Sequence, residues 1–112
     1  MICTSLIYDI DRYLIPIIKF LKKMKIFDRF MICTSFDTVY RFKNEQALEL
    51  WEKNILRLTN DYHVIVHTEI ILTEDFISKV MNNNFSIIDF EKKYNTKIDF
   101  IEPTYCSFFK NK

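Results

Sequence analysis

The chain has 112 residues, 49% of them hydrophobic and 28% charged, with three cysteines and no glycine. This apolar content is sufficient for one hydrophobic core and excludes a disordered tail. The net charge of +1 is unevenly distributed: residues 1–44 carry eight basic and four acidic side chains, and residues 45–112 carry eight and eleven. A bound polyanion is therefore expected on the first half, although a solvated lysine face of a helix explains the same pattern.

The first half predicts a helix between short strands. Residues 5–10 are interpreted as a strand, and residues 12–25 as a helix that is irregular around Pro16 or begins close to it. The β-branched and aromatic residues at 29–35 and 38–42 indicate a hairpin. Its turn is expected at Phe36 and Asp37.

The second half predicts a longer series of elements. Asn44 is a favourable N-cap for a helix over residues 45–59, whose apolar stripe includes Trp51. Residues 63–72 alternate in polarity and predict a strand with Val64, Val66, Thr68, Ile70 and Leu72 on one face. The remaining predicted elements are a helix at 74–81, a turn at Asn82–Asn84, a helix at 86–94, a strand at 97–101 and a candidate strand at 105–109.

The absence of glycine makes asparagine the expected residue at left-handed backbone positions. We expect at least one residue of Asn82–Asn84 to have a positive φ, because two helices meet there. Asn60 and Asn95 are the other candidates.

The order strand, helix, short loop, helix, strand over residues 64–101, with the sequence EKKYNTKIDF near its end, resembles the core of a KH nucleic-acid-binding domain. The helix at 45–59 precedes it as a helix precedes the next unit in vigilin-like tandem KH proteins. The resemblance implies an α+β fold with helices packed on one face of a small, mostly antiparallel sheet. It also implies a reduced KH-like unit at residues 1–60 and a degenerate KH-like core at 61–112.

The loop between the two helices departs from the family pattern. KH domains carry Gly-x-x-Gly there, which lets backbone amides approach the sugar-phosphate chain, whereas this chain has Met81, Asn82, Asn83 and Asn84. The added side chains make binding in the standard groove doubtful. RNA contact is expected instead at the basic residues of the first half, which are Lys19, Lys22, Lys23, Lys25 and Arg29.

These observations predict a non-catalytic RNA-associated protein, a component of a ribonucleoprotein such as a ribosome or a ribosome-assembly particle. Its expected partners are ribosomal or messenger RNA and the proteins of that particle. The alternative is a protein-interaction module or scaffold without RNA binding, which docks through aromatic residues such as Tyr105, Phe108 and Phe109.

Other functional classes lack their motifs. No Ser-His-Asp set, Cys-His set or phosphate-binding loop is recognisable, so neither an enzyme nor a small-molecule substrate or cofactor is expected. His63, His67 and Glu69 share a strand face, but a third strong ligand is missing locally and a metal site is not expected. The cysteines are widely spaced, which favours reduced thiols.

The start of the chain predicts neither a signal peptide nor a membrane span, because its apolar run at 14–18 is short and follows two aspartates. A cytoplasmic location, or one inside an organelle with its own genome, is expected. One short echo is also present, since Met1–Ser5 and Met31–Ser35 have the same sequence. The copies occupy non-equivalent positions in the KH alignment and are interpreted as a coincidence.

Overall fold

The computed structural model describes residues 2–36 and 44–102, in which strands and helices alternate. The strands are β1 (Ile2–Cys3), β2 (Met31–Ser35), β3 (Ile65–Ile71) and β4 (Lys97–Ile101). The helices are α1 (Ile10–Tyr13), α2 (Ile15–Lys23), α3 (Glu45–Leu56), α4 (Glu74–Met81) and α5 (Ile87–Tyr94). A 3₁₀ turn (Phe27–Arg29) precedes β2, and a π-helical turn (Arg57–Asp61) extends α3.

The four strands are all parallel and lie side by side in chain order, β1-β2-β3-β4. The predicted α+β fold with a mostly antiparallel sheet is therefore wrong, and the fold class is α/β. The predicted strand at 5–10 is also wrong, because β1 ends at Cys3 and α1 begins at Ile10. Within the predicted hairpin, β2 pairs with β1 and β3, and residues 38–42 lie outside the described part.

The error in strand direction has a physical cause. A sheet with one covered face produces alternating strands, and antiparallel sheets are the usual one-sided kind. Here the predicted alternation is confirmed, with Val66, Thr68 and Ile70 buried and Ile65 and Ile71 exposed. Right-handed crossovers between successive neighbouring strands place the connecting helices on one face of the parallel sheet. The alternation of polar and apolar residues in a strand therefore indicates that one face of the sheet is open, but it does not indicate whether the strands are parallel or antiparallel.

The hydrophobic core lies between the sheet and the helices. Its sheet side includes Ile32, Val66 and Ile98, and its helix side includes Trp51 and Phe90. The predicted burial of Trp51 is confirmed, since its side chain is fully buried. The core cluster extends from Leu6 to Ile98. The division into units at 1–60 and 61–112 stays a prediction.

Side chains cap several helices where the sequence predicted their starts. The side-chain oxygen Oδ1 of Asn44 accepts a hydrogen bond from the Ala47 amide at 2.8 Å, and the side-chain hydroxyls of Thr73 and Ser86 cap α4 and α5 in the same way. Each cap satisfies an amide that has no partner within its helix. Local capping chemistry therefore accounts for the accurate starts of α3, α4 and α5.

Four helical segments end at a residue with positive φ. Asn83 (φ 61°) and Asn95 (φ 50°) occupy two of these positions, which confirms the prediction for the asparagine turn. Lys25 (φ 60°) and His63 (φ 55°) occupy the others, whereas Asn60 lies within the π-helical turn. The Asn84 amide donates to the Lys79 carbonyl at 2.8 Å, which is the hydrogen bond of a Schellman helix end.

Both copies of the five-residue echo contribute residues to the sheet. Ile2 pairs with Ile32 and Cys3 pairs with Cys33, so two residues of the first copy lie in register with the equivalent residues of the second. The interpretation of the repeat as a coincidence stays a prediction. A helical segment follows each of the two strands in the chain, and the paired cysteines differ in exposure, since Cys3 is exposed and Cys33 is buried.

No helix within the described ranges is both long and apolar enough to cross a lipid bilayer.

Candidate nucleic-acid interface

Helices α1 and α2 form a nearly continuous helical segment that carries most of the predicted RNA-binding residues. The Leu14 amide donates to the Ile10 carbonyl at 2.9 Å, and the Ile18 amide donates to the Leu14 carbonyl at 3.1 Å. Pro16 lies in the first turn of α2 and has no amide hydrogen for the preceding turn. The interruption between the two helices follows from this missing donor, as the sequence predicted.

Two polar contacts fix this segment to the end of α3. The buried side-chain amide of Asn54 donates to the carbonyls of Leu6 and Tyr8, at 2.8 and 2.9 Å, and so holds the loop that leads into α1. The Arg57 guanidinium forms a two-pronged ion pair with Asp11, with N–O distances of 2.7 and 2.9 Å. This pairing lowers the pKa of the Asp11 carboxyl and raises the pKa of Arg57.

The opposite side of the segment is exposed and apolar. Asp11 and Lys22 face Arg57 and Tyr62, next to α3. The side chains turned away from α3 recur at spacings of three or four residues, which places them in one line along the helix. They are Tyr13 (58% exposed), Ile17 (41%), Phe20 (57%) and Met24 (54%).

Basic side chains run beside this apolar line. Lys19 and Lys23 are both exposed and lie one helical turn apart on the solvent side of α2. We call the combined set Tyr13, Ile17, Lys19, Phe20, Lys23 and Met24 the basic-aromatic surface. Phe20 and Lys23 lie three residues apart on it and are therefore neighbours on the helix surface.

The other predicted cations lie at the C-terminal end of α2 and beyond it. The Lys22 ammonium lies 4.7 Å from the Phe27 ring centroid and 5.7 Å from that of Tyr62, so it already stacks on aromatic rings. Lys25 occupies the left-handed position that ends α2, and Arg29 ends the 3₁₀ turn. Within residues 2–36 and 44–102, none of the five predicted cations forms an ion pair.

The apolar half of the basic-aromatic surface was missed at the sequence level. Tyr13, Phe20 and Met24 recur with the helical period, and so do Leu14, Ile18 and Leu21. Hydrophobicity alone does not show which of these two sets of side chains is buried. The sequence feature that could have indicated an exposed apolar surface is the presence of two apolar rows on one helix, because only one of them can pack against the sheet.

The predicted degenerate KH loop lies in a different unit of the fold. Met81 ends α4, and Asn82, Asn83 and Asn84 form the turn into α5, between β3 and β4. All four residues are exposed. The segment α1–α2 instead connects β1 to β2. The predicted RNA-binding cations and the predicted KH loop therefore belong to connections at opposite ends of the sheet order β1-β2-β3-β4.

The open face of the sheet carries a row of polar side chains. The Cys33 thiol donates to Glu69 Oε1 at 2.6 Å, and His67 Nδ1 lies 2.7 Å from Asp99 Oδ2. Burial, followed by the hydrogen bond to Glu69, raises the pKa of Cys33, so this thiol is protonated and weakly nucleophilic at neutral pH. In the described part of the chain, no three or more His, Cys, Asp or Glu side chains are arranged to hold a metal ion.

Comparison of the chain with protein-family models, with curated proteins and with solved structures finds no match.

Proposed function

We propose that the chain is a non-catalytic RNA-associated protein that contacts single-stranded RNA through the basic-aromatic surface, as part of a ribonucleoprotein in the cytoplasm or in an organelle with its own genome. The observation that supports this most is that exposed Phe20 lies three residues before exposed Lys23 on α2, which makes the two side chains neighbours on the helix surface. Single-strand binding surfaces combine these two elements, because bases stack on aromatic rings while cations contact the phosphates.

Charge supports the same proposal. Residues 1–44 carry four more basic than acidic side chains, and Lys19 and Lys23 are not neutralised by ion pairs within the described ranges. Association with a polyanion releases condensed counterions from it, which makes the affinity strongly dependent on salt. Stacking on Phe20 adds a contribution that does not require a particular base.

Charge reversal at Lys19 and Lys23 tests the electrostatic part. We expect the double variant Lys19→Glu/Lys23→Glu to bind single-stranded RNA more weakly and to flatten the slope of log K against log salt by about 1.4, at roughly 0.7 per phosphate contact. Phe20→Ala should weaken binding by roughly 1–3 kcal/mol per stacked base without changing the slope. Filter binding at several salt concentrations measures both effects.

Matched controls separate this surface from net charge. Lys92→Glu/Lys97→Glu makes the same charge change at exposed positions on α5 and β4 and should leave the slope nearly unchanged. Asn83→Asp tests the α4–α5 turn and should also have little effect. A larger loss with Asn83→Asp than with the double variant would locate binding at the turn. Retention on anionic lipid vesicles without RNA binding would identify a membrane surface as the ligand.

The second candidate function is a protein-interaction module without RNA binding. Tyr105, Phe108 and Phe109, which predicted it, lie outside the described residues. The observation that favours it is the open face of the sheet, where Ile65 (54% exposed), Ile71 (38%) and Ile101 (38%) are accessible. Parallel sheets are usually covered on both faces. An RNA affinity with no salt dependence, or no measurable affinity, would favour this candidate.

A further inference from the structure

Two cysteines lie side by side on the open face of the sheet. Cys3 on β1 and Cys33 on β2 are register partners of parallel strands. Neighbouring strands are about 4.8 Å apart, within the Cα–Cα range of roughly 4.4–6.8 Å that a disulfide requires. Partners in register direct their side chains to the same face, and both thiols are free in this structure.

The two thiols differ in their surroundings. Cys3 is exposed, whereas Cys33 is buried and donates to Glu69. The side chains facing Cys33 come from two strands: Cys3 from β1 and His67 and Glu69 from β3. His67 is itself paired with Asp99 of β4. An external disulfide therefore reaches Cys3 first, because thiol–disulfide exchange requires access to the attacking thiolate.

We propose that Cys3 and Cys33 are a thiol pair that a low-molecular-weight disulfide such as glutathione disulfide oxidises, linking β1 covalently to β2. The Cys3 thiolate attacks one sulfur of glutathione disulfide, forming a mixed disulfide and releasing one glutathione thiolate. Cys33 then transfers its proton to the Glu69 carboxylate that accepts its hydrogen bond and attacks the Cys3 sulfur, which forms the protein disulfide and releases the second glutathione thiolate. The two cysteines together lose two electrons, and glutathione disulfide gains these electrons and is released as two molecules of reduced glutathione.

The disulfide would join the shortest of the four strands to its neighbour. β1 contains two residues and, among the residues that the structure describes, pairs with β2 alone at the edge of the sheet. The closed loop between Cys3 and Cys33 contains α1 and α2. A disulfide restricts the unfolded chain across such a loop, so oxidation should stabilise this unit. The cysteines lie on strands, and their pairing does not depend on RNA binding.

The test uses the full chain with Cys106→Ser, in which Cys3 and Cys33 are the only thiols. The protein is incubated with glutathione disulfide and then treated with an alkylating reagent. Its intact mass should be lower than that of the untreated reduced protein by two hydrogen atoms, and it should carry no alkyl group. Trypsin should release the peptide Met1–Arg12 linked to Phe30–Arg41. The urea midpoint should shift to a higher concentration and return on reduction.

Single variants of the same protein test the order of the steps. With Cys33→Ser, a glutathione adduct should accumulate on Cys3, whereas with Cys3→Ser, Cys33 should remain largely a free thiol. Equal adduct formation in the two variants would overturn the proposal. A stable glutathione adduct on Cys3 while Cys33 is present, or linkage only between chains on a non-reducing gel, would also overturn it.

Discussion

Replacement of Trp51 by alanine should destabilise the fold by about 3–5 kcal/mol, the typical cost of truncating a buried large aromatic side chain. The Trp51 ring is fully buried and packs against Phe36, Phe90 and Tyr94, with ring centroids 5.2, 6.0 and 5.2 Å away. Its indole nitrogen donates to Thr34 Oγ1 on β2 at 3.1 Å. Domains of this size have roughly 5–15 kcal/mol of total stability, so the variant should be close to unfolding.

Urea unfolding followed by circular dichroism measures this effect, because Trp51 is the only tryptophan and its fluorescence is lost in the variant. Phe20→Ala is the control for aromatic truncation: Phe20 is 57% exposed, and its loss should change stability by less than about 0.5 kcal/mol. Similar destabilisation by the two substitutions would show that Trp51 is not central to the core.

The positions of most helices and strands could be predicted from the sequence because they depend on local chemistry. The caps at Asn44, Thr73 and Ser86 mark the starts of α3, α4 and α5. The alternation across residues 64–72 marks the open and covered faces of β3. These signals lie within a few residues of the structure that they specify.

Strand direction could not be predicted in this way. It depends on how β2 connects to β3 across α3, a relation between distant residues. The absence of an Asn-Gly turn after β2 argues against a two-residue hairpin at that position. The KH resemblance implies a mostly antiparallel sheet, whereas every strand pair in the structure is parallel. Cys3 and Cys33, which belong to the two copies of the five-residue echo, pair in register on neighbouring strands.

The basic residues of the candidate interface could be predicted from the sequence, but its exposed apolar residues could not. Charge clustering identified Lys19 and Lys23, because charged side chains on a short helix are almost always exposed. The exposure of Phe20 depends on which side of α2 packs into the core, and the burial of Ile15 and Ile18 against residues distant in the chain sets that orientation. A sequence pattern with two apolar lines does not decide which of them is buried.

Replacement of Asn54 by leucine should destabilise the protein by roughly 2–4 kcal/mol, although the two side chains are similar in size. The Asn54 amide is 2% exposed and donates to two backbone carbonyls, those of Leu6 and Tyr8. Leucine removes both donors, and each buried carbonyl left unpaired costs about 1–3 kcal/mol, less what local relaxation recovers. The loop that loses these bonds contains Leu6, which is fully buried and has a φ of 58°.

Asn60→Leu is the matched control, because Asn60 is exposed on the π-helical turn that follows α3. The same change there should alter stability by less than about 0.5 kcal/mol. Amide hydrogen exchange adds a local measurement: with Asn54→Leu, protection should fall first in residues 4–14, because their loop loses its attachment to α3, and later in β3 and β4. Uniform loss of protection across the sheet, or no change in stability, would show that Asn54 does not hold the β1–α1 loop in place.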